Sequence, residues 1–150
     1  MIVNFILNRQ PKRYDVDFDE TLLETLRKDD LTSVKKGCDA SSCGTCTVLI
    51  DGKPILACSE LTVRVAGKNV ITVEGIREEV EKISHYFGLE GADQCGFCNP
   101  AMALTIYSLK QSLKNPSSDD IKKYLVGNLC RCSGYQAQFK AVKRYLGDPL

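Results

Sequence analysis

Eight cysteines are the residues of this 150-residue chain whose type and spacing could do chemistry. They fall into two groups of four along the sequence. The first group is Cys38, Cys43, Cys46 and Cys58, and the second is Cys95, Cys98, Cys130 and Cys132. Four thiolates complete the coordination of a zinc ion or of a small iron–sulfur cluster. The spacing therefore predicts two metal centres, one from each group.

The first group has the spacing C-x4-C-x2-C, followed by a more distant fourth cysteine. This spacing is typical of plant-type 2Fe-2S sites. The residues between the cysteines are small, which lets backbone N–H groups approach negatively charged sulfurs. Structural zinc sites instead draw their ligands from two short pairs. The first group therefore favours an iron–sulfur cluster over zinc.

The second group reads C-x2-C, then a gap of 31 residues, then C-x-C. By itself this spacing is less specific, and a four-cysteine zinc site remains an alternative. Asn99-Pro100 suits an N-cap and a first helical position, so we expect the first cysteine pair to precede a helix. Residues 130–134 precede the last predicted helix in the same way. Positive helix ends favour a net-negative metal–thiolate unit.

Two other interpretations of the cysteines are weaker. Disulfides would fit the number of cysteines, but the chain shows no secretory signal, and closely spaced pairs suit a metal better. Buried, inert cysteines could explain one or two positions, Cys58 most easily, but not two groups of four. His85 is the only histidine, and we interpret it as an ordinary helix residue rather than a ligand.

Composition and charge exclude several classes of function. The chain is 43% hydrophobic and 26% charged, which is ordinary for a globular protein. Its net charge of +1 is too small to produce an electrostatic field that attracts nucleic acid or an anionic membrane. No run of about 18 apolar residues occurs. We expect no nucleic-acid partner, no membrane span and a cytoplasmic location.

The first half of the chain has the pattern of a mixed sheet with about five strands. Alternation in residues 3–7 and 14–18 predicts a hairpin with its turn at Pro11, and Asp19 is the expected N-cap of a short helix. Asp51-Gly52 between two β-rich runs predicts a second hairpin, because these residues tolerate the positive φ of a tight turn. Residues 61–65 and 70–73 are the further predicted strands.

The second half changes to helical periodicity after Glu74-Gly75 and predicts four helices. Ser117 is the expected N-cap of one of them, with Asp120 three residues later. The fold class is therefore α+β, with units at residues 1–75 and 76–150. A unit of about 75 residues buries little surface and is only marginally stable alone, so we expect each metal site to stabilise one unit.

Three segments resemble a known family: residues 37–48 with Asp51-Gly52 and Cys58, residues 94–98, and residues 127–135, which read GNLCRCSGY. They are similar to the small iron–sulfur subunit of the molybdenum hydroxylases, the group of xanthine dehydrogenase, aldehyde oxidoreductase, nicotinate dehydrogenase and aerobic carbon monoxide dehydrogenase. The resemblance covers essentially the whole chain, and the GNLCRC run is its most specific part.

This resemblance implies a β-grasp, ferredoxin-like N-terminal domain and a C-terminal four-helix bundle, each with one 2Fe-2S cluster held by its own four cysteines. It also implies a hetero-oligomer with a large molybdopterin-binding subunit and a medium FAD-binding subunit. The chain would then be the iron–sulfur subunit of an oxidoreductase, without substrate chemistry of its own.

The resemblance further implies a direction of electron transfer. Gln94 and Cys132 stand at positions whose family counterparts contact the pterin, which places the C-terminal cluster next to molybdenum and the N-terminal cluster next to the flavin. The implied substrate of the complex is a purine such as xanthine or another N-heterocycle. A free-standing two-cluster ferredoxin and a zinc-stabilised interaction module remain as alternatives.

Overall fold

The computed structural model describes residues 1–147. Its strands and helices follow one another along the chain as β1 (Ile2–Leu7), β2 (Gln10–Asp15), α1 (Leu22–Lys28), β3 (Thr47–Ile50), β4 (Lys53–Leu56), β5 (Asn69–Ile71), α2 (Arg77–Leu89), α3 (Asn99–Ser112), α4 (Ser118–Leu125) and α5 (Gln136–Tyr145). Two single-turn 3-10 helices, Thr62–Val65 and Val73–Ile76, flank β5. A five-stranded sheet with five α-helices confirms the predicted mixture of strands and helices.

The sheet has the strand order β2-β1-β5-β3-β4. All neighbouring strands are antiparallel except β1 and β5, which are parallel. Strand β1 alternates strictly between exposed and buried residues, because successive side chains of a strand point to opposite faces. Its buried face joins Leu22 and Leu26 of α1 in one apolar cluster, and both leucines are fully buried.

The first hairpin turns at Asn8 and Arg9, so the predicted turn at Pro11 was wrong. Both turn residues have positive φ, 50° and 68°, as a two-residue primed turn requires. Pro11 instead lies within β2, opposite Ile6. Strand β2 is at the edge of the sheet, where a residue without an N–H is tolerated.

Two other local predictions for the first half were wrong. The N-cap of α1 is Thr21, not Asp19, because Thr21 forms a capping box with Glu24 that satisfies the free N–H groups of the first turn. Within the predicted strand 61–65, Thr62–Val65 form a 3-10 turn instead. A helical turn shortens the path from β4, at the sheet edge, back to β5 in the interior of the sheet.

The second half contains the four predicted helices, α2 to α5. They share one apolar cluster that includes Ile83, Met102, Ile121 and Val142. The predicted cap at Ser117 is confirmed, since its side chain accepts from Asp120 N and the Asp120 carboxylate accepts from Ser117 N. Within residues 1–147, no helix is long and apolar enough to cross a membrane. The arrangement of the helices as a four-helix bundle stays a prediction.

Helix α3 packs against β3 and β4 and so joins the two halves of the chain. Leu49 of β3, Leu104 of α3 and Ile76 form an apolar cluster between them. The Ser108 hydroxyl donates to the carbonyl of Gly52, which ties the tip of the second hairpin to α3. This packing fixes the position of the cysteine-bearing loop before β3 relative to the loop before α3.

Candidate metal centres

The first four cysteines lie at one end of the sheet. Cys38, Cys43 and Cys46 belong to the loop that leads into β3, and Cys58 follows the end of β4. Because β3 and β4 form a hairpin, Cys58 returns to the loop: the Cys46 thiol contacts that of Cys58, while the Cys38 thiol contacts that of Cys43. Cys46 is 3% exposed, and the other three are partly exposed.

Backbone N–H groups surround the Cys38 sulfur. The N–H groups of Cys43, Ser42 and Ala40 donate to it and lower the pKa of the Cys38 thiol to about 6. The N–H of Ser42 lies 3.4 Å from the sulfur. A row of N–H groups of this kind is an anion-binding nest, and positive φ values at Ser41 and Gly44 allow the loop to form it. The loop therefore stabilises a thiolate before any metal is bound.

The second four cysteines lie where two loops meet above the helices. Cys95 and Cys98 come immediately before α3, and Cys130 and Cys132 lie between α4 and α5. The Cys95 thiol contacts that of Cys132, and the Cys98 thiol contacts that of Cys130. Cys98 is the N-cap of α3, one residue earlier than the predicted cap at Asn99.

Burial and hydrogen bonding shift the pKa values of two thiols of this second group in opposite directions. Burial raises the pKa of Cys98 to about 11, and the neighbouring Cys130 thiol raises it further. Burial acts in the same direction on Cys130, but hydrogen bonds from the Ser133 hydroxyl and from the N–H groups of Ser133 and Cys132 lower its pKa to about 7. The Ser133 oxygen is 3.3 Å from the Cys130 sulfur.

The donor sets suit a binuclear cluster better than a single ion. All eight cysteines are free thiols. Within residues 1–147, no three cysteine, histidine or carboxylate side chains are arranged to hold one metal ion. Each group instead forms two thiol pairs, and a 2Fe-2S cluster takes two thiolates on each of its two irons. The residues present therefore fit such a cluster at both sites.

The two cysteine loops touch each other. The N–H of Leu129, the residue before Cys130, donates to the carbonyl oxygen of Cys43 at 2.9 Å. Gly44 packs so closely on this loop that an added Cβ would lie 2.0 Å from the carbonyl oxygen of Gly127. The structure thus brings the two predicted sites together through direct backbone contact.

The predicted pterin contacts lie on the outer surface of the second site. Gln94, Cys95 and Cys132 are exposed. Several large apolar residues near the second group of cysteines are exposed as well, namely Phe97, Val126, Leu129 and Tyr135. Three of these four, Val126, Leu129 and Tyr135, also line an adjacent cavity of about 380 Å³. Clustered apolar exposure of this kind marks an interaction surface.

Sequence reasoning missed one residue that contacts this site, Gln138. Its side-chain amide lies 3.6 Å from the Cys98 sulfur. The available signal was its position: Gln138 stands three, four and seven residues before Ala141, Val142 and Tyr145, on the buried face of α5. A polar residue within an apolar helical stripe needs a reason to be there.

Two family descriptions match the chain, and together they span most of it. The family described as "2Fe-2S iron-sulfur cluster binding domain" matches residues 5–70, and the one described as "2Fe-2S binding domain" matches residues 72–143. The nicotinate dehydrogenase small FeS subunit of Eubacterium barkeri is 37% identical over 144 residues, which cover 94% of this chain and 92% of that protein. This chain belongs to the family of small iron–sulfur subunits of molybdenum hydroxylases.

Another relative and two solved structures agree with this assignment. The xanthine dehydrogenase iron-sulfur-binding subunit of Escherichia coli O157:H7 is 44% identical to this iron–sulfur subunit over 120 residues, or 77% of this chain and 75% of the relative. Quinoline 2-oxidoreductase from Pseudomonas putida 86 superposes with a TM-score of 0.86 and 36% identity, covering 95% of this chain and 90% of its own. The aldehyde oxidoreductase of Desulfovibrio gigas gives a TM-score of 0.91 at 32% identity, covering 98% of this chain and 17% of the larger protein.

Family membership confirms the predicted cofactor class. Both matched domains bind 2Fe-2S clusters, so the iron–sulfur subunit carries two of them as part of an oxidoreductase. The zinc interpretation of the second site has no support from these matches.

Proposed function

We propose that this iron–sulfur subunit carries electrons from a large subunit that bears molybdopterin to a medium subunit that bears FAD. The observation that carries the proposal is the pair of thiol quartets held in two touching loops, with exposed cysteines in the second quartet and partly exposed ones in the first. Bound there, each cluster supplies a centre that accepts and releases one electron.

The proposal assigns one cluster to Cys38, Cys43, Cys46 and Cys58, and the other to Cys95, Cys98, Cys130 and Cys132. Thiol contacts support two ligands on each iron: Cys38 with Cys43 and Cys46 with Cys58 at the first site, and Cys95 with Cys132 and Cys98 with Cys130 at the second. The N–H nest around Cys38 and the Ser133 hydroxyl at Cys130 stabilise the thiolates that bind the irons.

The second site faces the molybdopterin-bearing partner in this proposal. Its support is the apolar surface of Phe97, Leu129 and Tyr135 near the exposed Gln94 and Cys132. A partner subunit that covers this apolar surface removes it from water, which is favourable. The Gln94 amide offers both a hydrogen-bond donor and an acceptor to the edge of a pterin. Electrons therefore enter at the helical unit and leave at the N-terminal unit.

The substrate that we propose for the complex is an N-heterocycle. Support comes from the relatives, whose names include nicotinate dehydrogenase, nicotine 6-hydroxylase and xanthine dehydrogenase. We further propose that the complex is cytoplasmic, because cysteines that bind clusters instead of forming disulfides suit a reducing compartment.

We also propose that the chain divides near residue 75 into two folding units, 1–75 and 76–150. Separate apolar clusters support this division, one built from residues of the first half and one from residues of the second. Limited proteolysis should cut between the units before it degrades either one. Cleavage first inside β3 or α3 would contradict the division.

The test of the proposed function starts from tagged chain expressed with its partner subunits and purified anaerobically. We expect about four irons and about four acid-labile sulfides per chain, together with copurified molybdenum and FAD. Nicotinate or xanthine should bleach the cluster absorption in a stopped-flow experiment, and an aliphatic aldehyde should not.

Three results would contradict the proposal, each in a different way. A chain that carries both clusters but never copurifies with larger subunits would be a free-standing ferredoxin. Zinc without sulfide would identify an interaction module. Rapid bleaching by the aldehyde alone would overturn the substrate class while leaving the electron-transfer role intact.

A further inference from the structure

Gln138 is the most deeply buried polar side chain beside either cysteine quartet. It is 2% exposed and ranks among the largest fully buried side chains of the described residues. It lies on α5, on the same buried face as Val142 and Tyr145. Placing an amide on this face costs free energy unless both its donor and its acceptor are satisfied.

Only the donor side of this amide is satisfied. Its Nε2 donates to the sulfur of Cys98 at 3.6 Å, within the longer reach of a hydrogen bond to sulfur. Its Oε1 is buried without a hydrogen-bond partner. A leucine here would avoid the unpaired oxygen and would suit the surrounding apolar residues. Stability alone therefore does not account for the glutamine, and the donor contact to Cys98 is what it provides.

The contact differs from the other hydrogen bonds to cysteine sulfurs. Ser42 N–H and Ser133 Oγ donate to the sulfurs of Cys38 and Cys130 in exposed or partly buried surroundings. The hydrogen bond between the Thr45 hydroxyl and the Cys43 sulfur is also partly buried. Gln138 and Cys98 are both buried, with Cys98 6% exposed. Water does not screen a dipole placed there, so its effect on nearby charge is larger.

We propose that Gln138 is a positioning residue that raises the reduction potential of the cluster in the helical unit by donating its amide N–H to the Cys98 sulfur. The inference rests on the proposed function, which makes Cys98 a ligand. Reduction adds one electron to this site and breaks no bond. The added negative charge strengthens the amide–sulfur hydrogen bond, so the donor stabilises the reduced state more than the oxidised state.

The experiment is an anaerobic redox titration of the purified complex, followed by EPR, with dithionite as reductant. Gln138→Leu removes the donor at similar volume. We expect the midpoint of the second cluster to move to lower potential, beyond the error of the fit, while the midpoint of the first does not move. Cys43→Ser, which should lack the first signal, identifies which signal belongs to which cluster.

Two variants control for packing. Gln136→Leu makes the same substitution two residues earlier on the exposed side of α5, and it should leave both midpoints unchanged. Gln138→Met fills the site with an unbranched side chain and also lacks the donor, so it should lower the same midpoint if Gln138→Leu fails to fold. Because both Gln138 variants remove the unpaired oxygen, their melting temperatures should equal or exceed that of the native chain.

The outcomes separate this inference from the proposed function. Two 2Fe-2S signals with an unchanged second midpoint in both Gln138 variants would overturn the role of Gln138 and leave the electron-transfer function standing. Equal shifts of both midpoints would also overturn it, because a global perturbation would then explain them. A native complex without two 2Fe-2S signals would overturn the proposed function itself.

Discussion

Cys38 and Cys98 have the same side chain, but the structure shifts their pKa values in opposite directions. Three backbone N–H groups lower the pKa of Cys38 to about 6, whereas burial raises that of Cys98 to about 11. In the proposed ligand set, Cys98 must lose its proton to bind iron, and its raised pKa opposes that loss. We therefore expect cluster assembly at the second site to be favoured by higher pH.

The first prediction at this scale concerns Cys43. Cys43→Ser removes one thiolate of the first quartet and leaves the second quartet intact. We expect the iron content to fall from about four to about two per chain and one of two reduced-state EPR signals to vanish. Loss of both signals from a chain that stays folded would show that the two sites do not assemble independently.

The second prediction concerns Gln94, which is exposed beside Cys95. In the assembled complex, Gln94→Ala should slow the reduction of both clusters by substrate, because it removes the amide that we propose to lie between the pterin and the cluster. Reduction by dithionite should keep its rate. Stopped-flow absorption measures both rates, and Gln111→Ala, an exposed glutamine on α3, provides the control. Substrate-driven reduction at the native rate would show that Gln94 has no role in electron transfer from the pterin to the cluster.

At the scale of elements, one carboxylate connects three of the four C-terminal helices. Glu79 on α2 accepts from Lys82 of the same helix, from the Tyr145 hydroxyl on α5 and from Lys110 on α3. The Lys110 ammonium also lies 4.4 Å from the centre of the Tyr145 ring. These contacts, the largest being that of Lys82, lower the pKa of Glu79 to about 2 although its burial acts in the opposite direction.

Glu79→Gln should therefore destabilise the helical unit by up to about 3 kcal/mol at neutral pH. Because the folded pKa lies below the usual value of 4.5, this contribution is fully present above pH 4.5 and is lost as the pH falls towards 2. The difference in melting temperature between variant and native chain should stay constant from pH 6 to pH 8. Glu81→Gln on the exposed side of α2 should have little effect.

At the scale of the whole molecule, the contact between the cysteine loops joins the two halves of the chain, each of which has its own apolar cluster. It combines the Leu129 N–H bond to the Cys43 carbonyl with the close approach of Gly44 to Gly127. The backbones meet here without side chains between them, so the loops are held at a short separation. Substitution of Gly44 should therefore disturb both sites at once.

Gly44→Ala tests this contact, with Gly67→Ala as a matched control. Both glycines have positive φ, 75° and 73°, so the conformational free energy of placing alanine there is similar at the two positions. An added Cβ meets nothing within 4 Å at Gly67 but overlaps the Gly127 carbonyl oxygen at Gly44. We expect Gly44→Ala to cost about 2 kcal/mol more and to speed hydrogen exchange at the Leu129 N–H. Equal exchange in both variants would contradict this account of the contact.

Local chemistry in the sequence was sufficient to predict the features that depend on near neighbours. The tight turn at Asp51-Gly52, the Ser117 cap and the four C-terminal helices each follow from a few residues, and the structure confirms them. The two cysteine groups were recognised in the same way, because metal ligands need set residue types at short spacing, and their role as cluster ligands stays a prediction. The turn at Asn8-Arg9 was missed because Pro11 is the stronger turn signal when its place in an edge strand is unknown.

Only the tertiary structure decided how distant segments meet. It pairs Cys46 with Cys58 and Cys98 with Cys130, which no spacing along the chain specifies. It also makes Thr62–Val65 a helical turn despite their β-rich composition, because the chain must return to the inner strand β5. Gln138 reaches Cys98 across 40 positions in sequence. Such contacts depend on packing between elements, and packing is a property of the folded chain rather than of any local pattern.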